Sequence, residues 1–339
     1  MSSTVPLLPN PDGSPANFVN PPSLKAATYS VTITLMAISV IMVSWRLHAN
    51  LKITKKLQLD DYFCVLAWVL ATVYSVIVMT ATNTARHIWD VPLSAIDASW
   101  IKRSAVLGTI YGPAMWFAKA AILTMYLRLF GVKVWMRWCC YFGIGFLFCA
   151  YWSLVPVSVI YNFPHGNEKW DLAMEITSAT AQLAYVIIGL VSVVGDLYIL
   201  VLPFPILLTL RASWKRRIGL GVVFLTAIIG IVSSCFVFAL RVVLWQNKTQ
   251  DSTWNVAASY LTVVVEMNAA VIVSCAPAFA AWWKLILKDS NIVASLRSVL
   301  NSSKRRLLLG SSPKTDKSEE PAPATSTAYI SLDSLQMRT

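Results

Sequence analysis

The stretch Gln182–Arg211, QLAYVIIGLVSVVGDLYILVLPFPILLTLR, decides the fold. It is apolar for longer than the roughly 20 residues a helix needs to cross a bilayer. It nevertheless carries an acid, Asp196, near its middle, and Pro203-Phe204-Pro205 before its basic end at Arg211. A charge at that depth costs about 2.5–3.5 kcal/mol on insertion scales unless it is paired, wetted or neutralised. A second polar group must therefore answer Asp196, and Lys119, in another apolar run, is the candidate.

The whole chain supports this reading. Its 339 residues are 57% apolar and only 13% charged, whereas soluble domains average about 25% charged. Apolar runs occupy about Ala27–Leu47, Asp61–Thr82, Ser104–Phe130, Trp138–Tyr161, Ala179–Leu210, Ile218–Trp245 and Asn255–Trp283. The fold class is therefore all-α, a seven-transmembrane helix bundle in the lipid bilayer. Residues 1–26, rich in Pro, are expected to be a disordered extracellular tail. Residues 27–284 form the bundle, and 285–339 a basic, largely disordered cytoplasmic tail. Residues 286–309 of that tail mix apolar and basic side chains, a pattern that suits either the inner leaflet or a solvated helix.

The net charge of +12 does not indicate nucleic acid, because the basic residues sit in short loops and the tail. About 20 of the 28 Lys and Arg fall on one face and about 6 on the other, with Lys119 and Arg241 inside spans. Short basic loops stay cytoplasmic, which places the N-terminus outside and the C-terminus inside. The six cysteines lie in or at the ends of spans, so neither an outer disulfide framework nor a zinc site is expected. His48, His87 and His165 lie near loops and form no metal pair. Neither a Gly-rich phosphate loop nor a Gly-x-Ser-x-Gly turn is present, and no catalytic residue is assigned.

The intramembrane polar residues are the candidate site. Lys119 shares a helical face with Trp116, Leu123 and Tyr126. It is too deep to snorkel, about 16 Å from Phe130 at about 1.5 Å per residue. Asp196 shares a face with Gly189, Ser192, Ile199 and Pro203, where small residues permit close helix contact. The pair either lines a ligand cavity or proton path, or fixes helix packing. Arg241 lies four residues before Trp245, where snorkelling alone would explain it. Its functional partner would be Glu266. Asn268 lies about 200° round the helix from Glu266 and belongs to another face. Asp60 and Asp61 open the second span as N-cap and first-turn acids. Asn247-Lys248-Thr249 is a glycosylation sequon in a short loop.

In these residues the chain resembles the fungal rhodopsin-like integral membrane proteins, a family that includes satratoxin-cluster membrane proteins and, more distantly, Pth11-type receptors. The resemblance rests on Leu59-Asp60-Asp61-Tyr62, Lys119 with Tyr126–Phe130, Asp196 with Pro203-Phe204-Pro205, Lys215–Leu220, Leu240-Arg241, and Trp254 followed by Glu266-Met267-Asn268 and Cys275–Ala278. It covers about Thr28–Lys284 and implies seven spans, an outer N-terminus and often a place in secondary metabolism. Unlike many relatives, the chain has no cysteine in 162–178. No retinal cofactor is expected, since Asn255–Trp283 contains no lysine for a Schiff base. The leading functional reading is an accessory membrane protein that houses an apolar small molecule. Two alternatives stand beside it: a receptor engaging a cytoplasmic protein partner, and a membrane-embedded acid–base enzyme such as a cyclase.

Overall fold

The structure, a computed structural model, describes residues 5–166, 170, 182–205, 214–246 and 251–289. Its helices are α1 (Lys25–Thr54), α2 (Leu59–Thr80), α3 (Ala98–Phe130), α4 (Val134–Trp152), α5 (Leu154–Asn162), α6 (Gln182–Val201), α7 (Trp214–Gln246) and α8 (Ser252–Asp289). Among the described residues there are seven candidate membrane spans, with α4 and α5 together making the fourth. No strand forms among them, only two isolated bridges. The protein is a polytopic membrane protein. The chain divides into Met1–Ile286, which holds the bundle, and Leu287–Thr339. The basic tail beyond Asp289, Asn247 and Arg211 lie outside the described residues.

Polarity runs opposite to that of a soluble domain. Val69, Val73, Phe142, Ile187, Leu190 and Val194 face outward, where lipid replaces water and apolar surface carries no penalty. Lys119, Arg46, Glu266 and Ser192 are buried. The central helix is α3, which packs along α2, α4 and α5 and is the most buried span. Its Gly108-x-x-x-Gly112 pair allows this. A Cβ at Gly108 would sit 2.5 Å from Tyr185 Oη, and one at Gly112 would strike the Tyr151 carbonyl. Small residues spaced four apart are a common device for close helix approach in membranes.

At one end of the bundle the connection from α2 to α3 folds into short 3-10 turns at Thr82–Thr84, Ile88–Asp90 and Leu93–Ala95. Residues 5–24, expected from composition to be disordered, are instead laid against it. Leu24 N donates to Ala85 O (2.9 Å), Leu7 N to Val91 O (3.2 Å), Leu93 N to Val5 O (3.1 Å), and Asn17 N to Asp90 Oδ1 (2.8 Å). The loop offers free main-chain groups that a Pro-rich, extended segment can pair with, which composition does not reveal. His87 lies between Trp89 and Trp254, with centroids at 4.8 and 4.3 Å. Its Nδ1 is 2.6 Å from Asp251 Oδ2, which ties this loop to the start of α8.

Asp97 caps α3 by accepting from Trp100 N at 2.8 Å. Bonds from the Ser99 hydroxyl and the Trp100 N–H hold its carboxyl below the usual aspartate range. The stabilisation is therefore complete above the ordinary aspartate pKa and disappears as pH falls through the lowered one. In Asp97→Asn the acid limb of a thermal-melting profile against pH is expected to flatten.

Candidate functional site

At mid-bundle, α3, α6, α7 and α8 each contribute to one hydrogen-bonded network. Lys119, on α3, is fully buried, and its Nζ lies 2.7 Å from Asp196 Oδ1 on α6. The same ammonium donates to Ser192 O (2.8 Å) and Ser192 Oγ (3.1 Å), so all three of its protons have acceptors. Ser192 Oγ donates to Glu266 Oε1 (2.6 Å), while Ser234, on α7, lies between Asp196 Oδ2 (2.5 Å) and Glu266 Oε1 (3.0 Å). Tyr111 donates its hydroxyl to Glu266 Oε2 at 3.1 Å. Two carboxylates and one ammonium thus share two serines and a tyrosine. Such saturation is what allows charge to remain inside a low-dielectric bundle. A water-sized cavity of about 20 Å³ adjoins Lys119, Asp196, Ser234 and Glu266.

Beyond Tyr111 lies a larger cavity of about 120 Å³, at the end of the bundle where α3 begins. Tyr74, Gly108, Tyr111, Asn162, Gln182, Tyr185, Arg241 and Tyr260 are among its lining residues. Arg241 is 5% exposed, so it does not snorkel out as its place in the sequence suggested. Its guanidinium covers the Tyr111 ring at 4.3 Å, and Nη1 donates to Tyr185 O at 3.0 Å. It forms no ion pair with Glu266, because Tyr111 stands between them with its ring on Arg241 and its hydroxyl on Glu266. Asn268 takes no part, donating instead to Val264 O (2.9 Å) and facing Ser75 Oγ at 3.4 Å.

A second buried network lies at the opposite end. Asp60 and Asp61 are not merely capping acids, since Gln58 is the N-cap of α2. Arg46, 1% exposed, reaches Asp61 Oδ1 through Nε (2.9 Å), Asp60 Oδ2 through Nη2 (2.5 Å), and the Ser274 carbonyl through Nη1. Asn50 donates to Asp61 Oδ1 at 2.6 Å, and Arg128 approaches Asp60 Oδ2 at 3.3 Å. This network fastens α1, α2, α3 and α8 together. Sequence reasoning missed it because a basic residue at a span end and acids at a helix start each have a sufficient local explanation. The signal was their joint presence across the short 55–58 connection.

No cluster of three or more metal-ligating side chains occurs among the described residues. A helical membrane bundle with one polar network at its centre, another at one end and a cavity opening near the other is the class these features define. The chain belongs to the fungal rhodopsin domain family, whose model matches residues 45–285. It is 26% identical over 321 residues to fugralins biosynthesis cluster protein 2 of Gibberella zeae, covering 88% of this chain and 74% of that one. It is also 23% identical over 200 residues to a SAT4 family membrane protein of Emericella nidulans, covering 58% of this chain and 49% of that one. No solved structure matches it.

Proposed function

We propose that this protein is an accessory membrane component of fungal secondary metabolism that houses an apolar small molecule inside its bundle. The observation that carries the reading is the cavity of about 120 Å³ walled by tyrosines from α2, α3, α6 and α8. A mostly apolar chamber with a few convergent polar groups is the usual form of a small-molecule site. Similarity to a biosynthesis cluster protein supports the pathway context. The excess of Lys and Arg at one set of loops supports an outer N-terminus and an inner C-terminus. That orientation puts the cavity in the outer half and leaves the basic loops to a cytoplasmic protein partner. The reading includes no retinal: Lys119 is occupied by Asp196 and Ser192, and the apolar part of α8 contains no lysine.

Of the alternatives, a receptor draws on one specific observation. Tyr111 both lines the cavity and bonds Glu266, so an occupant could be felt by the central network. An acid–base enzyme has less support, since neither Glu266 nor Asp196 lines the larger cavity.

The test compares metabolites of a strain lacking the gene with those of its parent. Accumulation of one intermediate with loss of a later product is expected. Ser259→Phe, which fills the cavity from α8, should reproduce that profile in a complemented strain. An unchanged profile with a lost response to an external cue would replace this reading with the receptor.

A further inference from the structure

The cavity contains a feature that a purely apolar occupant does not explain. Arg241 sits in its wall, 95% withdrawn from solvent, and among the described residues no carboxylate lies within 4.0 Å of its guanidinium. The other buried cations are answered directly: Arg46 by Asp60 and Asp61, Lys119 by Asp196. Arg241 instead has the Tyr111 side chain and one main-chain oxygen. Arginine carries five N–H donors in a planar fork, of which the Tyr185 carbonyl takes one at Nη1, and a buried charge is costly unless it is paired. Glu266, the nearest candidate on charge grounds, is turned away, with its oxygens taking hydroxyls from Ser192, Ser234 and Tyr111.

We infer that Arg241 is the recognition group of the cavity and that the occupant is an aromatic or polyunsaturated molecule bearing an acidic oxygen, a carboxylate or an enolate. The inference rests on the cavity being a ligand site, and it names the ligand's chemistry. The fork of a guanidinium matches a carboxylate with two parallel bonds. The Tyr74, Tyr111, Tyr185 and Tyr260 side chains supply flat walls for a ring. The cavity, at about 120 Å³, is somewhat smaller than the roughly 150 Å³ that takes one benzene, so a ring fits only by extending through its open side. Gly108 keeps the wall thin, since a side chain there would meet Tyr185 Oη and Asn162 Nδ2.

The test uses full-length protein in lipid nanodiscs, with benzoate and its neutral isostere benzamide as probes. Binding is read by saturation-transfer NMR against empty nanodiscs at neutral pH. Benzoate is expected to bind saturably and about tenfold more tightly than benzamide, the difference a charge-assisted hydrogen bond makes. Arg241→Gln should erase that preference while benzamide binding stays. Should that variant fail to fold, Ser259→Phe leaves Arg241 in place and should exclude both probes. Equal affinity for the two probes in the unaltered protein would overturn the acidic-ligand inference and leave the housing function standing. Absence of binding by either probe would count against both. Benzoate binding that survives Arg241→Gln would place recognition elsewhere.

Discussion

Replacing Arg46 with alanine is expected to lower the stability of the bundle by about 3–5 kcal/mol, the loss seen when one partner of a buried ion pair is removed. The guanidinium is 1% exposed and joins Asp60, Asp61 and the Ser274 carbonyl at once. Without it, Asp61 keeps Asn50 and the Gln58 N–H, but no cation among the described residues. Among the described residues Asp60 keeps only Arg128, which is 28% exposed and stands 3.3 Å away. Arg46→Lys should fall between the two, because a single ammonium cannot span three acceptors arranged for a fork. Arg46→Met combined with Asp61→Asn, which removes charge from both sides, should recover most of the loss while Arg128 still answers Asp60. Equilibrium unfolding by SDS in mixed micelles measures each variant. A single Arg46→Ala change within about 0.5 kcal/mol of the parent, the range of an ordinary surface substitution, would show that the network does not hold the helices together.

The two ends of this molecule differed in how far the sequence disclosed them. The spans were legible because the bilayer imposes one rule, about 20 apolar residues per crossing, that each segment satisfies independently of the others. Lys119 and Asp196 were legible for the same reason, since a charge in such a run must be answered. The identity of the remaining partners was not. Ser192 read as a small packing residue, yet both its hydroxyl and its carbonyl accept from Lys119. Ser234 and Tyr111 are weakly polar side chains that apolar spans tolerate without explanation, and only their placement beside Glu266 gives them meaning. Arg241 was read from its distance to the span end, which is a one-dimensional measure. Its burial depends on how α7 turns toward α3, which no local pattern records. The N-terminal segment was misread because disorder was inferred from composition, whereas its order comes from hydrogen-bonding groups on the loop after α2.

The central network should respond asymmetrically to losing its charges. Lys119→Met is expected to cost about 3–5 kcal/mol. It leaves Asp196 and Glu266 competing for the single proton of Ser234 Oγ, at 2.5 and 3.0 Å, with no ammonium between them. Asp196→Asn is expected to cost less, about 1–3 kcal/mol, because Lys119 retains two acceptors on Ser192. Asp196 is also 17% exposed, so its own replacement buries less that is unsatisfied. The double change removes both charges and should return to within about 1 kcal/mol of the parent, well below the sum of the two single losses, as expected for residues in direct contact. If the pair only fixes packing, the double variant should also restore the metabolite profile of the complemented deletion strain. If the charges serve a proton path from Tyr111 through Glu266, stability returns and the profile does not. Additive single and double losses would mean that Lys119 and Asp196 act through separate neighbours, and that the 2.7 Å contact between them contributes no coupling.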